Sequence, residues 1–363
     1  MQTSGLYRSI RAFFGEIMSG DRGSSLPWSW QQVSSCPLAA RVSHTCNVVG
    51  GRLVIFGGTS VAQSKEPLND VVVFDPVAGW EKVRCKTEGP ARSHHAAVTI
   101  LDRYVCVIGG WDGKQRTSAV SLLDTESFSW SDLCPRPAND PPAGLSSHTC
   151  TKLSETEMLV VGREGGVRMQ RRFGSVFHLK VDVEKGQYEY REAAYHASSR
   201  SGHTANVIKV PGEKTCALMV FGGRDSGDYE IIGTWKPSKI QVEEARCSDL
   251  EAGFTKLIEQ GVAKKQSPKG VHHHTASTIG QYVVVYGGEC FARARDTVCH
   301  DIFLFDTGGK HAVWYHLKPW NEKNSLKRSG HATCILNGQM LVVGGVGPDA
   351  KTPCGDIYTL KIS

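Results

Sequence analysis

Fourteen histidines carry most of the chemical potential of this chain, and their spacing decides what they can do. The densest group, His272, His273 and His274, places three ligand-type side chains in a row. Consecutive residues of a strand point to opposite faces, so the three cannot all converge on one metal ion. At least one belongs instead to a series. Arg41-Val-Ser-His44, Arg92-Ser-His-His95, Leu145-Ser-Ser-His148, Arg200-Ser-Gly-His203 and Arg328-Ser-Gly-His331 recur along the chain, and Val271-His-His-His274 fills the same slot. A histidine repeated in one structural position implies core packing or a turn hydrogen bond, so neither a metal nor a cofactor is expected. Nucleophilic catalysis has no better footing, because Gly-x-Ser-x-Gly is absent and no Ser or Cys stands apart from the repeat. The twelve cysteines include no Cys-x-x-Cys pair, and Cys46 and Cys150 both fall two residues after a repeat His, as small core residues would. Reduced thiols in the cytosol or nucleus are expected, although Cys290 and Cys299 are spaced to bridge one loop.

Charge is the second chemical resource. The formal net charge of +6 is modest for 363 residues but locally uneven: Arg163, Arg168, Arg171 and Arg172 lie within ten residues against only Glu164. Lys264, Lys265 and Lys269 form another basic stretch. Neither is interleaved with aromatics as a single-strand nucleic-acid groove would be, so solvated loops come first, an acidic protein partner next and nucleic acid last.

The elements that must position these groups repeat with the histidines. Thirteen to 19 residues after each slot comes an apolar run and then glycine, at Gly57-Gly58, Gly109-Gly110, Gly162, Gly222-Gly223, Gly287-Gly288 and Gly344-Gly345. Successive first glycines are 52, 53, 60, 65 and 57 residues apart, a period that marks an array of small antiparallel sheets. Another strand follows, such as Val71 to Phe74 or Ile302 to Phe305, and then a bulky aromatic, as at Trp80, Trp130 and Trp314. Glycine at a strand end costs roughly 0.5 to 1 kcal/mol relative to Ala, so so many of them persist only where a side chain would clash. They are not nucleotide-binding glycines, since no Gly-x-Gly-x-x-Gly opens a helix and no Gly-Lys-Ser/Thr phosphate loop occurs.

This double-glycine, aromatic and tryptophan pattern resembles the kelch repeat over residues 26–363. Six units in register make the match specific, and the stretches around Gly144 to Cys150, Gly162 to Gly166 and Arg293 to Thr297 carry a closer resemblance to one member of that family. The resemblance implies an all-β fold, a six-bladed propeller of four-stranded blades beginning near 40, 91, 144, 199, 271 and 327. The sixth unit stops after Asp356 to Leu360 without its Trp-bearing last strand, while Trp28-Ser-Trp30-Gln-Gln-Val33 at the other end has that character. The N-terminal strand is therefore expected to complete the sixth blade, which removes exposed sheet edges.

Three departures from the repeat stand out. Residues 1–25 form a tail with Leu6, Ile10, Phe13, Phe14 and Ile17 at helical spacing, which reads as a frayed leader, a short amphipathic docking helix or an organelle-targeting peptide. No run of 18 apolar residues exists, so no membrane span is expected. Between the fourth and fifth slots the distance stretches to 71 residues, with an insertion near 243–270. There Ser248-Asp-Leu-Glu251 reads as a capping box, Leu250, Phe254, Leu257 and Ile258 line one face, and Gly261 is placed to end a helix over 249–260.

Function follows from where the loops emerge. In an up-and-down blade the loop after the glycines shares a face with the loop leading to the next blade. The post-glycine loops hold Trp111, Asp112, Arg116, Arg163, Arg168, Arg171, Arg172, Arg224, Asp225, Glu289, Arg293 and Arg295. Arg and Trp are enriched at binding hot spots, and loops on a rigid frame are where function concentrates. Kelch propellers commonly act as recognition or adaptor modules, so the resemblance implies a non-catalytic protein-binding scaffold using this face. The alternative is a metal-dependent or small-molecule enzyme at the axial channel. Two enzymatic kelch families weaken it: the galactose oxidases add further domains for which 363 residues leave no length. The iron-binding specifier proteins use Glu-x-x-x-Asp-x-x-x-His, where this chain has Asp296 and His300 but Ala292.

Overall fold

A computed structural model describes residues 26–137, 139–165, 171–224, 228–236, 247–292, 295–320 and 325–363, with only the backbone of 291, 292, 295 and 296. The chain forms six blades around a central axis. In the first, Thr45–Val49, Arg52–Phe56, Val71–Asp75 and Gly79–Val83 pair antiparallel in chain order from the axis outward. The second blade repeats this with Ala96–Ile100, Tyr104–Trp111, Arg116–Asp124 and Ser129–Asp132. In the third, the outer strand Gln187–Arg200 also takes Cys134–Pro135 alongside it in parallel. The fourth shows Thr204–Lys209, Cys216–Phe221 and Tyr229–Trp235, and residues 237–246 beyond them lie outside the described part. In the fifth, the basic pair Lys264–Lys265 adds a short edge strand to Val313–Leu317. Two exposed lysines on the last strand discourage further pairing.

The second strand of each blade is an unbroken apolar run because neighbouring sheets cover both of its faces. Leu53, Val54, Ile55 and Phe56 are each at most 1% exposed. The outer tryptophans reach back to the preceding blade: Trp130 packs on Phe56 at 4.6 Å and Trp314 on Phe221 at 5.1 Å between ring centres.

The N-terminal strand closes the ring as expected. Trp28–Ser35 runs antiparallel to Asp356–Ile362, pairing Trp28 with Ile362 and Trp30 with Leu360. It also ties blade six to blade one, since Trp80 Nε1 donates to Ser34 Oγ at 2.8 Å.

Among the described residues one α-helix interrupts the β-structure, α1 (Ser248–Glu259), and Gly261 follows it with φ of +69°. Leu250, Phe254 and Leu257 are buried against Trp28, Tyr282 and Leu360, so the apolar stripe seals the rim between blades five and six. The expected capping box does not form: Cys247 occupies the cap position and no side chain caps it. Glu251 instead turns its carboxylate to the next element, accepting from the Gln281 N–H at 2.9 Å. A bond that anchors the helix to blade five has displaced the local one.

Candidate functional site

The slot histidines sit where six inner strands begin, all buried. Each works between two blades. The ring of His274, for example, reaches into the fourth blade, where its Nε2 meets Thr204 Oγ1 at 2.9 Å. The same bond joins His95 to Thr45, His203 to Thr149 and His331 to Thr275. For His44 and His148 the equivalent residues are Ala332 and Ala96, which offer no hydroxyl, and the rings' polar neighbours are the backbone of Val343 and of Ile108. The glycines make room for this lock. A Cβ on Gly222 would lie 2.7 Å from His274 Cε1 and 2.5 Å from the Val271 carbonyl oxygen, and one on Gly223 would lie 2.9 Å from His203 Cβ. Both have positive φ, +66° and +96°, and the other pairs repeat the arrangement. Burial drives the imidazoles neutral, with His44, His148, His203 and His274 down to about 3 and His95 and His331 well below the usual histidine range.

Repeat arginines are equally structural. Arg41 Nη1 donates to the Gly57 carbonyl and to Asp70, both at 3.0 Å. Arg200 does the same for Gly222 and Glu230, and Arg328 pairs with Asp356 at 2.8 Å.

The residue before each slot histidine closes a circle. Ser43, His94, Ser147, Gly202, His273 and Gly330 all have φ between +51° and +64°. Each backbone N–H donates to the carbonyl of the equivalent residue in the preceding blade, at 2.7 to 3.1 Å, so six hydrogen bonds run unbroken around the axis. Two of these residues carry imidazoles from opposite blades. His94 and His273 meet edge to face across the axis with ring centres 6.4 Å apart. His94 Nε2 is 3.1 Å from Ser43 Oγ, and His273 Nδ1 is 3.0 Å from His272 Nδ1. Burial, then the neighbouring histidines and Arg224, hold His273 well below the usual range, and burial lowers His94 against the pull of Glu164.

Above this floor opens a bowl of about 480 Å³. Lys65, Arg116, Arg172 and Arg224 supply positive charge, Ser93, Ser146 and Ser147 hydroxyls, and Trp111 one wall. Among the described residues its single carboxylate is Glu164, met by Arg116 Nη2 at 3.2 Å and by the Ser201 hydroxyl at 3.2 Å. Trp111 is fixed by a bond from its Nε1 to the Lys65 carbonyl at 2.9 Å and lies 6.0 Å from the Arg116 guanidinium. Of the residues singled out from the sequence, Trp111, Arg116, Arg172 and Arg224 line this bowl. Others stand elsewhere. Asp112 shapes its own turn, accepting from the N–H groups of Lys114 and Gln115 at 2.8 Å. Arg163 is buried, donating to the Gly144 carbonyl at 3.1 Å with its guanidinium 4.2 Å from the Phe173 ring. Arg171 is exposed at the start of Arg171–Asp182, and Glu289 accepts from the Ser329 hydroxyl at 2.6 Å. Arg168, Asp225 and Arg293, and the side chain of Arg295, lie outside the described residues, as does the tail of residues 1–25. The floor histidines and Lys65 were not singled out as binding residues; a second His beside a slot His, at 94 and 273, was the available signal.

Among the described residues no three His, Cys, Asp or Glu side chains converge to hold a metal. The side chain of Asp296, part of the iron-protein pattern, lies outside the described residues. The best acid–base pair is His316 with Asp301, Nε2 to Oδ1 at 2.7 Å, but its Nδ1 is also engaged, with Gln266 Oε1 at 3.1 Å. With both nitrogens bonded, this ring joins strands rather than awaiting a substrate.

Comparison with known proteins agrees with this architecture. A family model described as the KLHDC2/KLHL20/DRC7 Kelch-repeats domain matches residues 13–166 and 165–363. The chain is 41% identical to mouse Kelch domain-containing protein 9 over 94% of its own length and 96% of the relative, and 40% identical to the human protein over 93% and 97%. Adagio protein 3 of Arabidopsis thaliana is 24% identical over 88% of this chain but 49% of its own length. A solved structure titled "Structure of YjhT" superposes with a TM-score of 0.55 at 14% identity, covering 89% of this chain and 97% of its own, a likeness of fold alone. With its six blades, each opening on a buried slot histidine, and these matches over nearly its whole length, the chain belongs to the kelch-repeat family of β-propellers.

Proposed function

We propose that this chain is a non-catalytic interaction module, an adaptor or scaffold that holds a protein partner on the face where the post-glycine loops and the inter-blade loops emerge. The axial bowl carries the reading. Among the described residues four cationic side chains surround one carboxylate, which is paired with Arg116, and hydroxyls and an indole complete the wall. A surface of this kind complements an acidic segment of a partner. The histidine floor blocks passage along the axis, so a ligand rests at the mouth. The chemistry of the bowl is that of a binding surface, with Arg and Trp in the places where hot spots concentrate. Among the described residues no helix is long and apolar enough to cross a membrane, and all twelve cysteines are free thiols, which suits the cytosol or nucleus.

The test is affinity capture with the full chain beside a variant carrying Arg172→Glu and Arg224→Glu, together with metal analysis of the purified protein. Loss of a partner from the variant, without stoichiometric metal, is the expected result. An unchanged set of partners, or a stoichiometric metal, overturns the proposal.

A further inference from the structure

The other mouth of the channel holds a feature unrelated to partner binding. At a second position of the inner strands, adjacent blades touch through side chains. Ser277 and Thr333 meet hydroxyl to hydroxyl at 3.3 Å between blades five and six. Between blades four and five Asn206 Nδ2 donates to the Ala276 carbonyl at 3.3 Å, and between three and four Thr151 Oγ1 donates to the Ala205 carbonyl at 3.1 Å. Where blade six meets blade one, the same position brings together two thiols, Cys46 and Cys334, with sulfurs 3.7 Å apart. This seam also lacks the threonine–histidine bond, because His44 faces Ala332. Two of the polar ties that join other blades are therefore missing or replaced by sulfur at the one junction where the ring is closed by distant parts of the chain.

The two thiols differ in access. Cys46 lines a cavity of about 700 Å³ at this end of the channel, with Asn47, Thr151, Asn206 and Thr278 around it, while Cys334 is buried behind it. We infer that Cys46 and Cys334 form a dithiol site that reacts with a low-molecular-weight disulfide and becomes a covalent link across the closing seam. The thiolate of Cys46 attacks one sulfur of glutathione disulfide and breaks its S–S bond, releasing one glutathione thiolate. Cys334 then gives up its proton and attacks Cys46 Sγ, displacing the second glutathione. The two thiol protons end on the two glutathiones, so two thiols are oxidised and one disulfide is reduced. The sulfurs are already 3.7 Å apart, and a closer approach of about 1.7 Å would bring them to bonding distance. Contact with Cys334, together with burial, holds the Cys46 thiol well above its ordinary range, so exchange accelerates as pH rises.

The experiment incubates the full chain with glutathione disulfide, alkylates remaining thiols, and maps the peptides. The expected result is a peptide pair joined through Cys46 and Cys334, two glutathiones released per chain, and a melting temperature raised by about 5 °C that returns on reduction. Cys334→Ser should stop at one glutathione held on Cys46, and Cys46→Ser should leave Cys334 fully alkylated and unshifted in melting. Melting of both reduced variants alongside reduced wild type verifies that they are folded, and peptide mapping separates this link from any between Cys290 and Cys299. Recovery of Cys46 in the wild type as a free thiol, as a lasting glutathione adduct, or joined to a different cysteine overturns the inference.

Discussion

The inner ring and the mouth above it are built from the same six loops, yet one is uniform and the other is not. In the ring, every blade supplies a neutral histidine, a cramped glycine and a left-handed residue whose N–H points to its neighbour. Two residues after the first glycine, at the rim, the six blades supply Thr59, Trp111, Glu164, Arg224, Glu289 and Val346. A feature repeated six times answers a need that all blades share, which is fitting wedge to wedge around the axis. A feature that varies from blade to blade is not dictated by that shared need. The contrast separates what holds the propeller together from what it presents.

Acid should break the ring most completely. Unfolded histidine titrates near 6.5, whereas the buried rings accept a proton only far lower, four of them at about 3. Depressed values mean that their contribution is fully present above pH 6.5 and is lost as pH falls from there toward 3. At about 1.4 kcal/mol per unit for each ring, the four held near 3 together withhold on the order of 10 kcal/mol by pH 4.5, comparable with the whole stability of a domain. Circular dichroism against pH should show cooperative unfolding before pH 4. A chain that keeps its melting temperature to pH 4 would mean that the histidines are not neutral locks.

A single glycine should cost less. Gly222→Ala forces a side chain against the Val271 carbonyl and the His274 ring at positive φ, and a loss of about 3 kcal/mol is expected in urea unfolding. At the rim the balance reverses: Arg224→Glu should change stability by about 1 kcal/mol or less, while an acidic partner should bind at least tenfold more weakly, about 1.4 kcal/mol. Isothermal titration beside thermal melting distinguishes the two. The smallest effect is a gain. Ala96→Thr and Ala332→Thr should each supply the hydroxyl that His148 and His44 lack, raising stability by about 1 kcal/mol. Failure of both to stabilise would show that these rings are satisfied by other means.

How much of this was legible in the sequence follows the same division. The blades, their closure by Trp28–Ser35 and helix α1 could be read because each rests on a pattern in neighbouring residues. The slot histidines were readable as structural because they recur, but the hydroxyl each one meets lies a full blade earlier, at Thr204 for His274. The capping box failed for a related reason: local spacing favoured Ser248 with Glu251, and a tertiary contact with Gln281 took the carboxylate. At the rim, composition drew attention to arginines but could not rank them. Arg163 and Arg172 are nine residues apart in one loop system, and only the fold buries the first beneath Phe173 and leaves the second on the bowl. A second His beside a slot His marks 94 and 273 in the sequence, but only the fold brings the two rings together from opposite blades.

The strand that closes the sixth blade also sets an order of events. Gln32 pairs with Tyr358, a partner 326 positions away, so a ribosome must add all the residues between before this strand has its place to dock. Until then Trp28 and Trp30 lack the strand they pair with, and the nascent chain carries an open, aggregation-prone edge. Speed of ring closure, more than the strength of any blade, should then govern how much of this protein survives its own production in the cell.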